Sequence, residues 1–293
     1  MLKGIMEEYT RYIEKQKKLS RNTVEAYTSD IIKFRNFMND SGINNVNHVN
    51  NTHVIRYLLQ LQREGRSNST ISRHLASIRC LFEYLINHSI VKEDPTLNLK
   101  PPKKDKKIPQ ILTEDEITKL MSLPDLSTAK GCRDRALLEL LYSSGLRVSE
   151  ISSLKIDDVL LSKGTIVLSK DDEIRKVPVG SKAINSIAFY LKNYRDENNV
   201  EAPLFVNYNG QKLTRQGLWK IIGTYADKIS GSKSITPQIL RNSFAAHILS
   251  HGADIKTVQE IMGHSDIAST QVYTMTDPKD TTEEVYKKAH PRA

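Results

Sequence analysis

Three side chains near the C-terminus sit where helices begin and end, and their types point to phosphoryl chemistry. Arg241 lies on the first turn of a helix opened by Thr236 and Pro237, His264 follows Gly263 at the end of the next helix, and Tyr273 comes shortly after on a third helical turn. A fourth, Arg147, follows Gly145 at a similar joint, within Tyr142–Glu150. An arginine at a joint can present a planar fork to a phosphate, with backbone amide donors of the next helix close by. A single such arginine is more simply a surface residue paired with Glu150. It is the set, with Lys170 at the turn of a short hairpin, that carries the argument.

The elements that must position these residues are legible in the pattern. Thr236 followed by Pro237 is an N-cap with proline at the first helical position. Leu240, Phe244 and Ile248 then form one apolar stripe that stops at Gly252. Asp254 opens the next helix, with Ile255, Val258 and Met262 inward, and Gly263 closes it. Upstream, Thr113 to Glu116 is a capping box, and Ala136, Leu137, Leu140 and Leu141 lie on a longer helix ending at Gly145. Thr165–Leu168 and Ile174–Val179 are β-type runs on either side of Lys170–Asp172 and predict a hairpin. Further helices carry Ile184, Ile187, Leu191 and Tyr194, and, after Thr214, Leu218, Trp219, Ile222 and Tyr225.

The N-terminal third reads as all helix. A first stripe is Ile5, Tyr9, Tyr12 and Ile13. Asn22 with Glu25 predicts a start for a second helix carrying Val24, Tyr27, Ile31, Phe34 and Met38, which ends at Gly42. Thr52 is expected to cap a third helix with Val54, Ile55, Leu58 and Leu59 inward, and Ser69 a fourth with Ile71, Leu75, Ile78, Phe82 and Leu85 inward. The outer face of the fourth is expected to carry Arg73, His74, Ser77 and Arg79, with Arg66 just before it. Residues 99–110 hold three prolines and a run of lysines with no periodicity, and this is the domain boundary. A basic linker of this kind, with Lys103 and Lys104, could follow a DNA backbone.

The 293 residues suit about two domains, with 39% apolar and 26% charged residues. A formal net charge of +9 favours a polyanionic partner, most simply nucleic acid. No apolar run is long enough to span a bilayer, the N-terminus lacks the core of a signal peptide, and a cytoplasmic protein without a membrane partner is expected. Cys80 and Cys132 lie inside helical patterns, and the eight histidines show no ligand spacing with them, so neither a disulfide nor a metal is expected.

Four stretches together resemble the tyrosine recombinase or phage integrase family, most closely its Xer-type members. They are Tyr142–Glu150, the Lys170 hairpin running into Arg175–Pro178, Leu240–His247 with His251–Asp254, and Met262–Asp266 followed by Thr270–Tyr273. The closing Ala289–Ala293 and the N-terminal Leu19–Thr23 and Ser69–Arg79 are also similar, so the resemblance covers nearly the whole chain. It implies a mainly α fold with a small antiparallel β-sheet in the C-terminal domain, the two domains forming a C-shaped DNA clamp. Residues 1–98 would be a helical core-DNA-binding, SAM-like domain, and 111–293 the catalytic domain with a C-terminal docking helix. Arg66, Arg73, Arg79, Lys103 and Lys104 would touch DNA.

The implied activity is site-specific recombination of double-stranded DNA through a covalent 3′-phosphotyrosyl intermediate, in chromosome-dimer resolution or in integration and excision of a mobile element. Such a reaction needs a nucleophile, charge compensation on the phosphate and an acid for the leaving oxygen. The resemblance assigns Tyr273 as nucleophile, Arg147 and Arg241 as the phosphate clamp, Lys170 as the acid for the 5′-oxygen, and His264 as a partner of the phosphate or of the tyrosine proton. No cofactor, metal or nucleotide is implied. The helix opened by Thr281–Glu284 would dock into a neighbouring subunit of a tetramer, built from one chain or from this chain with a related recombinase.

One position departs from the family. Where a histidine usually precedes the second arginine, this chain has Gln238, and Asn242 stands where a second histidine is common. Glutamine can donate a hydrogen bond to phosphate but cannot transfer a proton. A slower but working site is expected. The alternatives are a DNA-binding paralogue that is catalytically weakened or inactive, and an activity of the related type IB topoisomerase kind.

Overall fold

A computed structural model describes residues 4–103, 109–170, 173–195, 199–229, 235–263 and 289–292, with the backbone alone at Lys170 and Glu173. The chain divides into two compact units, Met1–Lys107 and Ile108–Ala293.

The first unit is helical: α1 (Ile5–Lys15), α2 (Arg21–Asp40), α3 (Asn51–Arg63) and α4 (Asn68–Asn87). The helices start slightly earlier than the pattern predicts. Ser20 caps α2, Asn50 caps α3 and Ser67 caps α4, each accepting a backbone N–H of the first turn. On α3 the buried stripe is Val54, Tyr57 and Leu61, and Ile55 and Leu59, expected inward, are exposed. The α4 stripe of Ile71, Leu75, Ile78, Phe82 and Leu85 is buried as expected. His74 and Ser77, expected on its outer face, are buried as well. The reason is that α4 packs against α1, α2 and α3 and therefore has more than one covered face.

The buried polar side chains lie together. Arg73 Nη1 donates to Asp30 Oδ2 at 2.6 Å, and His74 Nε2 lies 3.2 Å from Asp30 Oδ1. The Tyr57 hydroxyl is 3.0 Å from His74 Nδ1. Burial pushes the His74 imidazole down to about 4, so it is neutral at pH 7.

The second unit contains α5 (Glu114–Ser122), α6 (Ala129–Ser144), α7 (Val148–Ser153), a small sheet, α8 (Ser181–Tyr194), α9 (Arg215–Ala226), α10 (Pro237–Ser250) and α11 (Ile255–Met262). The sheet is antiparallel in the order β1 (Val159–Leu160), β2 (Thr165–Lys170) and β3 (Glu173–Pro178). Leu168 pairs with Arg175 and Lys170 with Glu173, so the predicted hairpin exists and Lys170 ends β2. The caps at Thr113, Thr214, Thr236 and Asp254 all form.

Helix α6 is buried almost all round, packed on α5, α8 and α10. Its Glu139 is fully buried and ion-paired twice, with Arg135 Nε at 3.0 Å and Arg292 Nε at 2.8 Å. Ala289, His290 and Arg292 are all buried in this unit. The His290 ring lies 5.1 Å from that of Tyr142 and 5.6 Å from that of Phe244. Tyr142 in turn bonds His247 Nδ1 at 2.8 Å. The docking helix expected from Thr281 lies outside the described residues, up to Ala289. Cys132 is buried and Cys80 half-buried, and both are free thiols in helices. Among the described residues no helix is long and apolar enough to cross a membrane, and no cluster of histidine, cysteine or carboxylate side chains could hold a metal ion.

Burial lowers His290 from the ordinary 6.5 to about 3 and lowers His247 in the same direction. The unfolded chain therefore binds more protons than the folded one below pH 6.5, and stability falls as the pH drops from there toward 3. The expected slope is up to about 1.4 kcal/mol per pH unit for each histidine. Urea denaturation at several pH values between 7 and 4 checks this, and His290→Asn should flatten the dependence.

Candidate active site

The site is built on two helix ends. Helix α6 stops at Gly145, which is left-handed with φ 58°, and a Cβ there would meet the Phe244 ring. The chain then turns into α7, with Arg147 at its N-cap. Glu150, in the first turn of α7, accepts the Arg147 backbone N–H at 2.7 Å, which closes that end. Helix α11 stops at Gly263, also left-handed with φ 60°.

The carbonyls that α11 leaves without helical partners are claimed by arginines. Arg241, one turn into α10 and buried, donates through Nη2 to Met262 O at 2.7 Å and through Nη1 to Gly145 O. Arg147, about half exposed, donates through Nη2 to Gly263 O at 2.8 Å and through Nη1 to Glu150 Oε1 at 3.3 Å. A helix C-terminus carries partial negative charge, so two guanidiniums there are electrostatically favoured. The outcome is that Arg147 and Arg241, 94 positions apart in a 293-residue chain, meet on two successive carbonyls. His264 is the next residue along.

Gln238 stands on the exposed N-terminal side of α10, and its Nε2 donates to Asn242 Oδ1 at 2.8 Å. Asn242 Nδ2 also reaches Gln110 O at 3.5 Å. Lys170 is placed by its backbone at the hairpin end of β2. His264 and Tyr273 lie outside the described residues, as does Lys104.

The candidate DNA contacts of the first unit differ in how they are held. Arg66 is exposed, 3.7 Å from Glu64. Arg73 is tied to Asp30, and Arg79 donates to Leu99 O at 2.7 Å, so both arginines also hold their own unit together. Lys103 is exposed, and its carbonyl accepts from Asn68 Nδ2 at 3.1 Å.

Two features escape the sequence pattern. Arg175, on β3, donates through Nη2 to Glu150 Oε1 at 2.9 Å. Its guanidinium also lies against Gly263, where a Cβ would fall within it. The alternation of Arg175 with the buried Val177 along β3 was the available signal, since the two share a face.

Two family models match the chain: the phage integrase family over residues 110–280 and the phage integrase N-terminal SAM-like domain over residues 6–89. The chain belongs to the phage integrase family. It is 39% identical over 299 residues to tyrosine recombinase XerD of Oceanobacillus iheyensis, with all of both chains covered. It is 38% identical over 296 residues to tyrosine recombinase XerD of Staphylococcus haemolyticus, again with full coverage. Among solved structures it is similar to XerA recombinase, at 25% identity with both chains fully covered and a TM-score of 0.51. A lambda integrase dimer bound to a core site shares the fold at 17% identity, with a TM-score of 0.73 over 94% of this chain and 97% of that one. The chain is thus a tyrosine recombinase, an enzyme of site-specific DNA recombination.

For this tyrosine recombinase, Gly263 is the position where a small change should have the largest effect on the site. Gly263→Ala forces an L-residue into a left-handed turn, at a cost of about 1–2 kcal/mol, and pushes Arg175 off its seat. Denaturation should show that modest loss. DNA cleavage should fall by about 10²-fold, because a displacement near 1 Å at a reacting centre has that scale.

Proposed function

We propose that the chain cleaves and rejoins a double-stranded recombination site with Tyr273 as nucleophile, Arg147 and Arg241 as phosphate clamp, Lys170 as general acid and His264 beside the phosphate. The observation that carries this is the convergence of Arg147 and Arg241 on the carbonyls of Met262 and Gly263, immediately before His264. Two guanidiniums fixed before substrate arrives form a preorganised site for the charge that builds on the non-bridging oxygens.

The Tyr273 phenolic oxygen attacks phosphorus, and the bond from phosphorus to the 5′-oxygen breaks. The phenolic proton passes to His264 or to water, and the departing 5′-oxygen takes a proton from Lys170 Nζ. The product is a 3′-phosphotyrosine and a free 5′-hydroxyl. A 5′-hydroxyl from the partner strand then attacks the phosphotyrosine, the diester reforms and the tyrosine leaves. The bond energy is kept throughout, so no nucleotide is consumed.

The basic linker of residues 99–110 would follow the DNA backbone, with Lys103 and Lys104 on phosphates, while Arg66, Arg73 and Arg79 contact DNA from the helical domain of residues 1–98. The domain of residues 111–293 carries the chemistry. Assembly is into a tetramer on two sites, of one chain or with a related recombinase, through the helix opened by Thr281. The setting is the cytoplasm, and the role is chromosome-dimer resolution or movement of a mobile element, which use the same steps. The XerD relatives, matched along their whole length, favour a cleaving enzyme over a DNA-binding paralogue.

A nicked suicide substrate tests the proposal. Wild-type protein should form a covalent adduct with its cognate site, unaffected by a metal chelator, and Tyr273→Phe should form none. A verified site that yields no adduct would sink it, and relaxation of plasmid without a specific site would move the activity to the topoisomerase type. Gln238→His should raise the cleavage rate, by up to ~10²-fold if proton transfer is what glutamine fails to supply. An unchanged rate would show that Gln238 does not limit the reaction.

A further inference from the structure

Arg175 and Leu168, paired across the ladder, are the described side chains of the β2–β3 hairpin held to the body of the unit closest to the turn, Leu168 against the apolar core and Arg175 by polar contacts. Along β3, Val177 and Arg175 share a face, Val177 fully buried and Arg175 mostly so. Ile174, one residue nearer the turn, is 70% exposed. Arg175 stands opposite Leu168 in the ladder, so the part of the hairpin that carries Lys170 projects beyond it. A two-stranded ribbon has little stability of its own, and the position of its tip depends on its last tether.

The tether reaches two other elements. Arg175 Nη2 donates to Glu150 Oε1 at 2.9 Å, and Arg147 Nη1 donates to the same oxygen at 3.3 Å. One carboxylate oxygen therefore joins a guanidinium from the start of α7 to one from β3. Without it the two cations would repel each other. The Arg175 guanidinium also packs on Gly263, leaving no room for a Cβ, and β3 packs on α11. The hairpin, the α7 cap and the turn before His264 thus meet at one side chain.

We propose that Arg175 is a positioning residue for strand cleavage: it fixes the hairpin bearing Lys170 against the Arg147–Glu150 pair and the Gly263 turn, so that the acid and the phosphate fork hold one geometry. This rests on Lys170 acting as the general acid. Arg175 acts through Lys170 and does not touch the phosphate. Truncating it releases the tip, and the leaving oxygen loses its proton donor.

The test compares two suicide substrates, one with the natural phosphodiester and one in which the bridging 5′-oxygen at the cleavage point is replaced by sulfur. A thiolate is a far better leaving group than an alkoxide and departs without an acid. Wild type, Lys170→Ala, Arg175→Ala and Arg175→Lys are compared for the rate of covalent adduct formation, with folding checked by denaturation. Arg175→Ala should slow the oxygen substrate by about 10²-fold and the sulfur substrate by less than about tenfold, in parallel with Lys170→Ala. Arg175→Lys, which keeps the charge and folds if the alanine variant does not, should fall between wild type and alanine on oxygen and match wild type on sulfur. Equal slowing of both substrates would overturn the proposal, since Arg175 would then act on the phosphate or on folding. A wild-type rate on oxygen for either Arg175 variant would overturn it too. A Lys170→Ala defect that sulfur does not rescue would refute the acid assignment underneath, and is told apart by appearing in that variant itself.

Discussion

The C-terminal carbonyls of α11 are the fixed point of the second unit. A helix must leave its last carbonyls without helical partners, and here Met262 O and Gly263 O are filled by Arg241 and Arg147. This single arrangement answers two needs. It satisfies helix-terminal acceptors, that of Met262 buried, and it holds two cations on successive carbonyls before any substrate is present. It also sets what the flanking glycines must be. Gly145 gives its own carbonyl to Arg241 while turning left-handed against Phe244, and Gly263 turns left-handed under Arg175.

Helix α6 supplies the rigidity behind that point. It is buried on nearly every side up to Ser144, next to its end at Gly145. The residues 289–292 return to it, with Arg292 on Glu139 and His290 among Tyr142, His247 and Phe244. A charge as deeply buried as Glu139 is tolerable only because arginines face it from two directions. Gly263 and Ala289, which flank the stretch holding His264, Tyr273 and the expected docking helix in sequence, both belong to this unit.

Local signals carried most of the fold. Thr113, Thr236 and Asp254 cap the helices where the pattern places them, because capping is decided within a turn of sequence. The same logic placed Arg147 and Arg241 at helix joints and Lys170 at the hairpin turn, where the structure has it as the last residue of β2. Where the sequence misled, a longer-range contact decided. Ile55 and Leu59 look inward by period, yet the buried stripe of α3 runs through Val54, Tyr57 and Leu61. His74 and Ser77 look like a polar outer face, yet α4 is enclosed by its neighbours, and His74 bonds the Tyr57 hydroxyl and lies beside Asp30. Arg73, offered as a phosphate contact, bonds that same Asp30. The link from Arg175 to Glu150 and Gly263 was illegible for the same reason: it joins a strand, a helix cap and a turn that no short window contains.

The amides of Gln238 and Asn242 change how the site must work. They bond to each other along one face of α10, and neither can gain or lose a proton near neutral pH. Gln238 precedes Arg241 by about one helical turn, so in the proposed reaction its remaining hydrogen-bonding capacity would lie beside the arginine clamp and orient a phosphate oxygen. It cannot share the burden of moving the phenolic or the leaving-group proton. In the proposed reaction that burden falls on His264 and Lys170 alone, one following the Gly263 turn and the other at the end of the hairpin. Both of those elements are held by Arg175. If the reaction is the proposed one, a site with an amide at position 238 depends more heavily on the placement of those two groups and on the contacts that hold them.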